Sequence, residues 1–182
     1  INCHIFAEIV HESGLPTGVF NVVNGAGAEI GQALAAHPQV DMVSLTGSVA
    51  AGRQVMEAAA ANITKVSLEL GGKAPAIVLK DADLDLAVKA ILASRVGNSG
   101  QICNCAERVY VHSSVHAAFV EKITAAMQAV RYGNPAEAAE GALEMGPLIE
   151  ARAVEAVAEK VQRAVAQGAT LVCGGNRAPG KG

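Results

Sequence analysis

The residue types best suited to covalent chemistry lie in the stretch 98–108, which reads Asn-Ser-Gly-Gln-Ile-Cys-Asn-Cys-Ala-Glu-Arg. This stretch places the thiol of Cys103 in a short polar turn after a predicted helix, next to Gly100. A structural cysteine usually lies within an apolar periodic run, whereas here the polar neighbours Ser99, Gln101 and Asn104 bring backbone N–H groups and amides to the sulfur. Such groups favour a thiolate, so Cys103 is the candidate nucleophile, although spacing alone leaves an inert loop thiol open.

A second stretch, 65–79, joins two apolar runs through a carboxylate and a double glycine. Glu69 stands between Leu68 and Leu70 at the end of the first predicted strand. Apolar surroundings raise the pKa of a carboxyl group and suit it to act as a general base. We therefore expect Glu69 to lie in a low dielectric and to serve as a base.

These two stretches carry a family resemblance. Leu68-Glu-Leu-Gly-Gly-Lys73 and Gly100-Gln-Ile-Cys103 resemble the two signature motifs of the NAD(P)-dependent aldehyde dehydrogenases, and the resemblance runs through the entire chain. It implies an α/β fold, with part of a Rossmann-type parallel-sheet cofactor domain followed by part of an α/β catalytic domain. Residues 1–70 are then the C-terminal half of the NAD(P)-binding domain, and residues 71–182 are the N-terminal part of the catalytic domain.

The resemblance also implies a reaction. Cys103 attacks an aldehyde to give a thiohemiacetal, with its own backbone N–H as one oxyanion donor. Hydride then passes to NAD, with NADP as the alternative, and the remaining thioester is hydrolysed by a water that Glu69 deprotonates. The stretch 98–111 is most similar to the bacterial lactaldehyde and glycolaldehyde dehydrogenases, which implies a small hydroxyaldehyde substrate. Asn104 is then a candidate substrate contact, although an amide in a loop more often bonds its own backbone.

A strand end, a glycine turn and a helix start make the segment 45–52 a candidate phosphate site. A helix N-terminus presents free N–H donors to an anion, Gly47 allows a close approach, and Ser48 can donate a further bond. Ser48 can equally cap the helix, and the two roles can coexist. In the family the matching segment lies against the cofactor pyrophosphate, and we add Gly52 and Leu70 to the expected cofactor contacts.

A glycine-rich stretch, 25–31, invites comparison with the dinucleotide fingerprint G-x-G-x-x-G. Its third glycine comes one position late, because Ile30 stands where the pattern needs glycine. A tight turn before a helix and a phosphate contact through Gly25 and Gly31 therefore both stay open.

The apolar pattern predicts strands that alternate with helices, and hence a parallel sheet. Its strands are near-continuous in apolar residues, which predicts burial on both faces. Either Asp81 or Asp83 can cap the helix that leads to the thiol. The predicted helices are 2–12, 28–37, 49–61, 84–96, 115–130 and one carrying apolar residues from 154 to 165; the predicted strands are 19–23, 41–45, 65–70, 74–79, 108–112 and 170–173.

Bulk properties indicate a soluble globular protein of the cytoplasm. The 182 residues are 51% apolar with a net charge of −3, which argues against nucleic-acid partners. No apolar run approaches the ~20 residues that span a bilayer, and no charged-then-apolar leader opens the chain. We expect the cysteines to be reduced and expect no metal site, because the C-x-C spacing of Cys103 and Cys105 is poor for zinc.

Members of the family are far longer than this chain, so the resemblance implies an internal piece. The oxyanion-hole amide, the lysine for the adenosine ribose, the glutamate for the nicotinamide ribose and the oligomerisation strand then fall outside it. We expect the intact protein to be a homo-oligomer, and the chain expressed alone to be poorly soluble and inactive. Two alternatives stay open: a CoA-acylating aldehyde dehydrogenase, which needs no carboxylate base, and a non-catalytic cofactor-binding or structural use of the fold.

Overall fold

The chain divides into two compact units whose boundary lies between Gly71 and Gly72. A computed structural model describes residues 2–178, and each unit is described below by itself. Among these residues, no helix combines the length and the apolar character that crossing a membrane requires. The assignment of a cofactor domain to 1–70 and a catalytic part to 71–182 stays a prediction.

The first unit alternates helices with short strands. In chain order its elements are α1 (Asn2–Glu12), a π-helical turn (Gly27–Gly31), α2 (Gln32–Ala35), β1 (Met42–Thr46), α3 (Val49–Ala60) and β2 (Lys65–Glu69). Strands β1 and β2 pair in parallel, with Thr46 opposite Glu69. The predicted order of strand, helix and parallel strand is confirmed here.

The second unit repeats this arrangement around a second parallel pair. Its elements are β3 (Ala74–Val78), α4 (Leu84–Val96), a 3₁₀ turn (Gly97–Gly100), β4 (Ala106–Val111), a second 3₁₀ turn (Ser113–Val115), α5 (His116–Gln128) and α6 (Ala151–Ala166). The register of β3 and β4 shifts between Ala74, opposite Ala106, and Pro75, opposite Arg108. Proline has no N–H to donate to the ladder, so a bulge at this point costs little pairing and leaves Glu107 outside the register.

The core of the second unit lies between β3, α4 and α5. Val88 and Ile91 of α4 pack with Val78 and Phe119, and all four side chains are buried. Burying such a side chain contributes roughly 1.5–3 kcal/mol. The helical spacing of apolar residues in α4 predicted this face.

Burial on both faces of the strands is a prediction that β1 contradicts, whereas the three central residues of β2 are all half-buried. Exposed and half-buried residues alternate along β1. Each sheet has two strands, and α3 contacts both strands of the first pair. A single covering layer buries one face, which produces the alternation.

The predicted strands 19–23 and 170–173 are also wrong. Val19 and Val23 are 65% and 68% exposed, and Leu171 and Val172 are 51% and 56% exposed. A strand needs a neighbour for its backbone hydrogen bonds. Within residues 2–178 these segments have no ladder partner, because β1 pairs with β2 and β3 pairs with β4.

Asp83 caps α4, which resolves the choice between the two aspartates. Its Oδ1 accepts hydrogen bonds from the N–H of Asp85 at 3.0 Å and from the N–H of Leu86 at 3.1 Å.

Asp83→Ala should lower the free energy of unfolding by about 1 kcal/mol, because these N–H groups lose their acceptor. Urea unfolding followed by circular dichroism measures this. The matched control, Asp81→Ala, should change it by less than about 0.5 kcal/mol, and equal losses would contradict the assignment.

Candidate active site

Cys103 occupies a β-turn between α4 and β4. The N–H of Cys105 donates to the carbonyl of Ile102 at 3.3 Å, so Cys103 and Asn104 are the central residues of the turn. Both are exposed. Within the described residues, no backbone carbonyl accepts the N–H of Cys103 or of Asn104. Two backbone donors next to the thiol are therefore left without a backbone acceptor, and such donors can stabilise an oxyanion.

The turn that leads to Cys103 has a left-handed backbone. The φ angles of Asn98, Ser99 and Gly100 are 48°, 57° and 74°. Residues other than glycine rarely adopt this region, because Cβ approaches the backbone too closely. At Gly100 a Cβ would also lie 2.5 Å from Nη2 of Arg95. The approach to the thiol is therefore a strained conformation that the surrounding residues must maintain.

Ser99 and Gln101 were expected to bring polar groups to the sulfur, and the structure contradicts this. The Ser99 hydroxyl donates to the carbonyl of Gly146 at 2.8 Å. Gln101 donates through Nε2 to the carbonyl of Asn98 at 3.2 Å, and its Oε1 accepts the N–H of Ile149 at 3.0 Å. Their side chains hold the turn against another segment instead of contacting the thiol.

Cys105 has a different environment from Cys103. It is 2% exposed, and Nη1 of Arg95 donates to its sulfur at 2.9 Å. The two cysteines are therefore not equivalent, because one thiol is open to a substrate and the other belongs to the packed interior.

A cluster of charges lies beside Cys105. Arg95 approaches Glu107, with Nη1 3.6 Å from Oε1, and Lys73 forms an ion pair with the same carboxylate. The hydrogen bond from Lys73 is the largest cause that lowers the pKa of Glu107 below its ordinary 4.5, and Arg95 adds a weaker attraction. Lys73 therefore anchors the start of β3 to β4. Neither Arg95 nor Glu107 was predicted from the sequence. The one sequence feature that could have indicated Arg95 is its position as a basic residue in the last turn of α4.

Glu69 is the last residue of β2 and is exposed. The prediction that Glu69 lies in a low dielectric is therefore wrong within the described residues. Leu68 is the last half-buried residue of β2, and the strand ends at the exposed Glu69. The carbonyl of Glu69 accepts the N–H of Gly47 at 2.9 Å. The carboxylate thus starts from the carboxyl edge of the parallel pair, which is the edge where open α/β sheets bind ligands.

Gly47 and Ser48 lie at the same edge and begin α3. The hydroxyl of Ser48 accepts the N–H of Ala51 at 3.1 Å, so the capping role is confirmed. The first intrahelical bond runs from the N–H of Gly52 to the carbonyl of Ser48. The N–H groups of Val49 and Ala50, which have no backbone acceptor within the described residues, lie beside the exposed Ser48 and Gly47 and fit an anionic group such as a pyrophosphate.

Gly52 and Leu70 contact each other. Gly52 is buried in α3, and a Cβ there would lie 2.5 Å from Cδ2 of Leu70. This contact explains the glycine by packing. A cofactor contact through Gly52 or Leu70 stays a prediction.

The glycine-rich stretch forms a turn of π-helix from Gly27 to Gly31 that runs into the four-residue α2. A Cβ at Gly25 would collide with the side chain of Ile30, whereas one at Gly31 would meet no atom within 4 Å. Packing explains Gly25. Phosphate contacts by Gly25 and Gly31 stay predictions.

The chain carries an exposed cysteine in a turn, and a capped helix start that follows a parallel strand. Both features are expected in nucleotide-dependent dehydrogenases that use a thiol. The chain belongs to the aldehyde dehydrogenase family, whose sequence pattern matches residues 1–182. The family and the α/β fold expected from the sequence are confirmed.

Relatives of known activity cover nearly all of this chain. Lactaldehyde dehydrogenase of Escherichia coli (strain K12) is 60% identical over 181 residues, which are 100% of this chain and 37% of the relative. The NADP(+) succinate-semialdehyde dehydrogenase of the same organism is 46% identical over 169 residues, which are 93% of this chain and 34% of the relative. The chain therefore spans about a third of the length of these relatives.

Solved structures of aldehyde dehydrogenases have the same fold as this chain. A crystal structure of lactaldehyde dehydrogenase from Escherichia coli superposes with a TM-score of 0.94 at 60% identity, covering 100% of this chain and 38% of that one. A structure of 3,6-anhydro-L-galactose dehydrogenase in complex with NAP superposes with a TM-score of 0.91 at 41% identity, covering 97% and 36%. One of these relatives is named for NADP(+), and similar solved structures are complexes with NAP or with NAD+.

Proposed function

We propose that the intact protein oxidises a small hydroxyaldehyde, such as lactaldehyde or glycolaldehyde, to the carboxylate with NAD or NADP. The observation that carries the proposal is the exposed thiol of Cys103 at the centre of a turn whose two N–H groups make no backbone bond within the described residues. The 60% identity to a lactaldehyde dehydrogenase supports the substrate class. We also propose that the intact protein is a cytoplasmic homo-oligomer.

Cys103 begins the reaction as a thiolate that attacks the aldehyde carbon. A carbon–sulfur bond forms, and the carbonyl π electrons move to oxygen, which becomes an oxyanion. The N–H groups of Cys103 and Asn104 donate to this oxygen. Preorganised donors of this kind are worth about 3–4 kcal/mol each, since they strengthen as the charge develops. The amide of Asn104 is the proposed contact to the substrate hydroxyl.

The second half of the proposed reaction is the hydrolysis of a thioester, and it requires a base. When bound, the nicotinamide ring accepts the hydride that the former aldehyde carbon loses, which leaves a thioester on Cys103. Glu69 takes a proton from water, and the hydroxide adds to the thioester carbon. The carbon–sulfur bond then breaks and returns the thiolate with release of the carboxylic acid, which ionises. The carbon has lost two electrons in total.

The residues that would hold the cofactor are Gly47 and Ser48 with the N–H groups at the start of α3. Ser48 accepts a bond from Ala51, so its hydroxyl hydrogen is available to donate to a phosphate oxygen. Gly52, Leu70, Gly25 and Gly31 complete the proposed contacts.

Turnover of the purified intact protein with lactaldehyde or glycolaldehyde tests the proposal. We expect one reduced cofactor for each carboxylate formed, without CoA, because Glu69 supplies the base for hydrolysis. The CoA-acylating alternative predicts an acyl-CoA product and a rate that depends on CoA. Cofactor binding with no oxidation of any aldehyde would instead favour the non-catalytic alternative.

A further inference from the structure

Two side chains of the turn before Cys103 bond to a segment that is distant in the sequence. Ser99 reaches the carbonyl of Gly146, 47 residues away, and Gln101 accepts the N–H of Ile149, 48 residues away. Ser99 is half-buried, and Gln101 is exposed. Both bonds join the same two stretches, 99–101 and 146–149: the turn donates the first bond and accepts the second.

The 146–149 segment is itself anchored. The residue before it, Met145, forms a parallel bridge with Tyr132. One oxygen of the Glu144 carboxylate accepts a hydrogen bond from the backbone N–H of Arg131 at 2.7 Å, and the other accepts one from Nη2 of Arg131, also at 2.7 Å. Arg131 lies three residues after the end of α5, and α5 carries Phe119 into the core. The segment therefore offers a fixed support to the turn.

The turn needs such a support. Asn98 and Ser99 hold left-handed backbone angles, and a free chain would return them to the right-handed or extended regions. Asn98 and Gln101 bond each other within the turn. Within residues 2–178, the Cys105 thiol also donates to the carbonyl of Gly100 at 3.4 Å. The bonds of Ser99 and Gln101 to 146–149 are the ones that tie the turn to a segment distant in the sequence.

We propose that Ser99 and Gln101 are positioning residues for Cys103: they fasten the left-handed turn to the 146–149 segment and thereby fix the backbone that presents the thiol. The inference rests on the proposed function, in which Cys103 is the nucleophile. Neither side chain bonds the Cys103 sulfur within the described residues. Both act through the backbone, and their loss displaces the nucleophile without removing a substrate contact.

Three variants of the intact protein separate positioning from simple stabilisation. Ser99→Ala and Gln101→Met each remove one outside bond. Ser99→Gly also removes the hydroxyl, but glycine tolerates the left-handed angles. If Ser99 only contributed stability, Ser99→Gly would be more active than Ser99→Ala to the extent that its melting temperature is higher. Ser114→Ala is the matched control, since that hydroxyl bonds its neighbour His112 at 2.9 Å.

We expect kcat to fall about 10-fold to 100-fold in all three variants, because a misplaced nucleophile loses its attack geometry. KM should stay within about twofold. Ser99→Gly should melt at or above Ser99→Ala yet recover no activity, and Ser114→Ala should match wild type. Wild-type kcat in Ser99→Ala and Gln101→Met would overturn the proposal, as would recovery of activity in Ser99→Gly.

A second measurement needs no aldehyde, so its outcome is separate from that of the proposed function. The alkylation rate of Cys103 by iodoacetamide is read from the peptide that contains it by mass spectrometry. We expect it to fall about threefold or more in Ser99→Ala and Gln101→Met, because a loosened turn no longer holds the Cys103 thiol in its exposed position. A rate equal to or above that of wild type would overturn the positioning role, whatever the enzyme's activity proves to be.

Discussion

Cys103→Ser is expected to abolish aldehyde oxidation in the intact protein while cofactor binding persists. A serine hydroxyl without an adjacent base is a weak nucleophile at neutral pH, so kcat/KM should fall by at least about 10³-fold. Steady-state turnover and a separate cofactor titration measure the two properties. Cofactor binding should survive because the proposed cofactor contacts lie in the first unit, at Gly47 and Ser48.

Cys105→Ser is the matched control for this substitution. Cys105 is buried and takes a hydrogen bond from Arg95 at 2.9 Å, and a serine oxygen can accept the same bond. We therefore expect a loss of less than about tenfold, attributable to packing. Undiminished turnover in Cys103→Ser would contradict the nucleophile assignment, and comparable losses in both variants would point to a redox pair.

Glu69→Gln is expected to separate acylation from hydrolysis. The amide keeps the size of the side chain but cannot accept a proton from water, so the thioester forms and then persists. Rapid mixing should show a burst of about one reduced cofactor per active site, followed by steady turnover slowed by about 10²-fold to 10⁴-fold.

An exposed carboxylate of the same unit controls for the loss of charge. Glu57 lies on α3 and is exposed, and Glu57→Gln should retain wild-type turnover. If Glu69→Gln showed no burst and its acylation were equally slow, Glu69 would instead be the base that activates Cys103.

The local elements were predictable because their signals are local. The apolar spacing of α4 and the strand–turn–helix pattern around Gly47 and Ser48 are contained in short windows, and both form as predicted. The segment 19–23 has strand-forming residues but no ladder partner within the described chain. Strand propensity without a neighbour does not make a strand.

The environment of the candidate residues was less predictable, because it depends on distant parts of the chain. The flanking leucines of Glu69 suggested a low dielectric, yet a side chain at a strand end is buried only if another element covers it. The supports of the nucleophile turn come from Gly146 and Ile149, 47 and 48 residues away from their partners. No spacing rule connects such positions in a single sequence.

The chemical state of Cys103 after one turnover is the most direct test of its role as the nucleophile. Glu69→Gln protein is mixed with lactaldehyde and NAD or NADP, quenched in acid and digested, and the peptide containing Cys103 is fragmented by mass spectrometry. We expect a lactoyl thioester on the Cys103 sulfur, removable by hydroxylamine, with Cys105 unmodified. Reduced cofactor formed without any adduct on Cys103, or an acyl group on another residue, would contradict it.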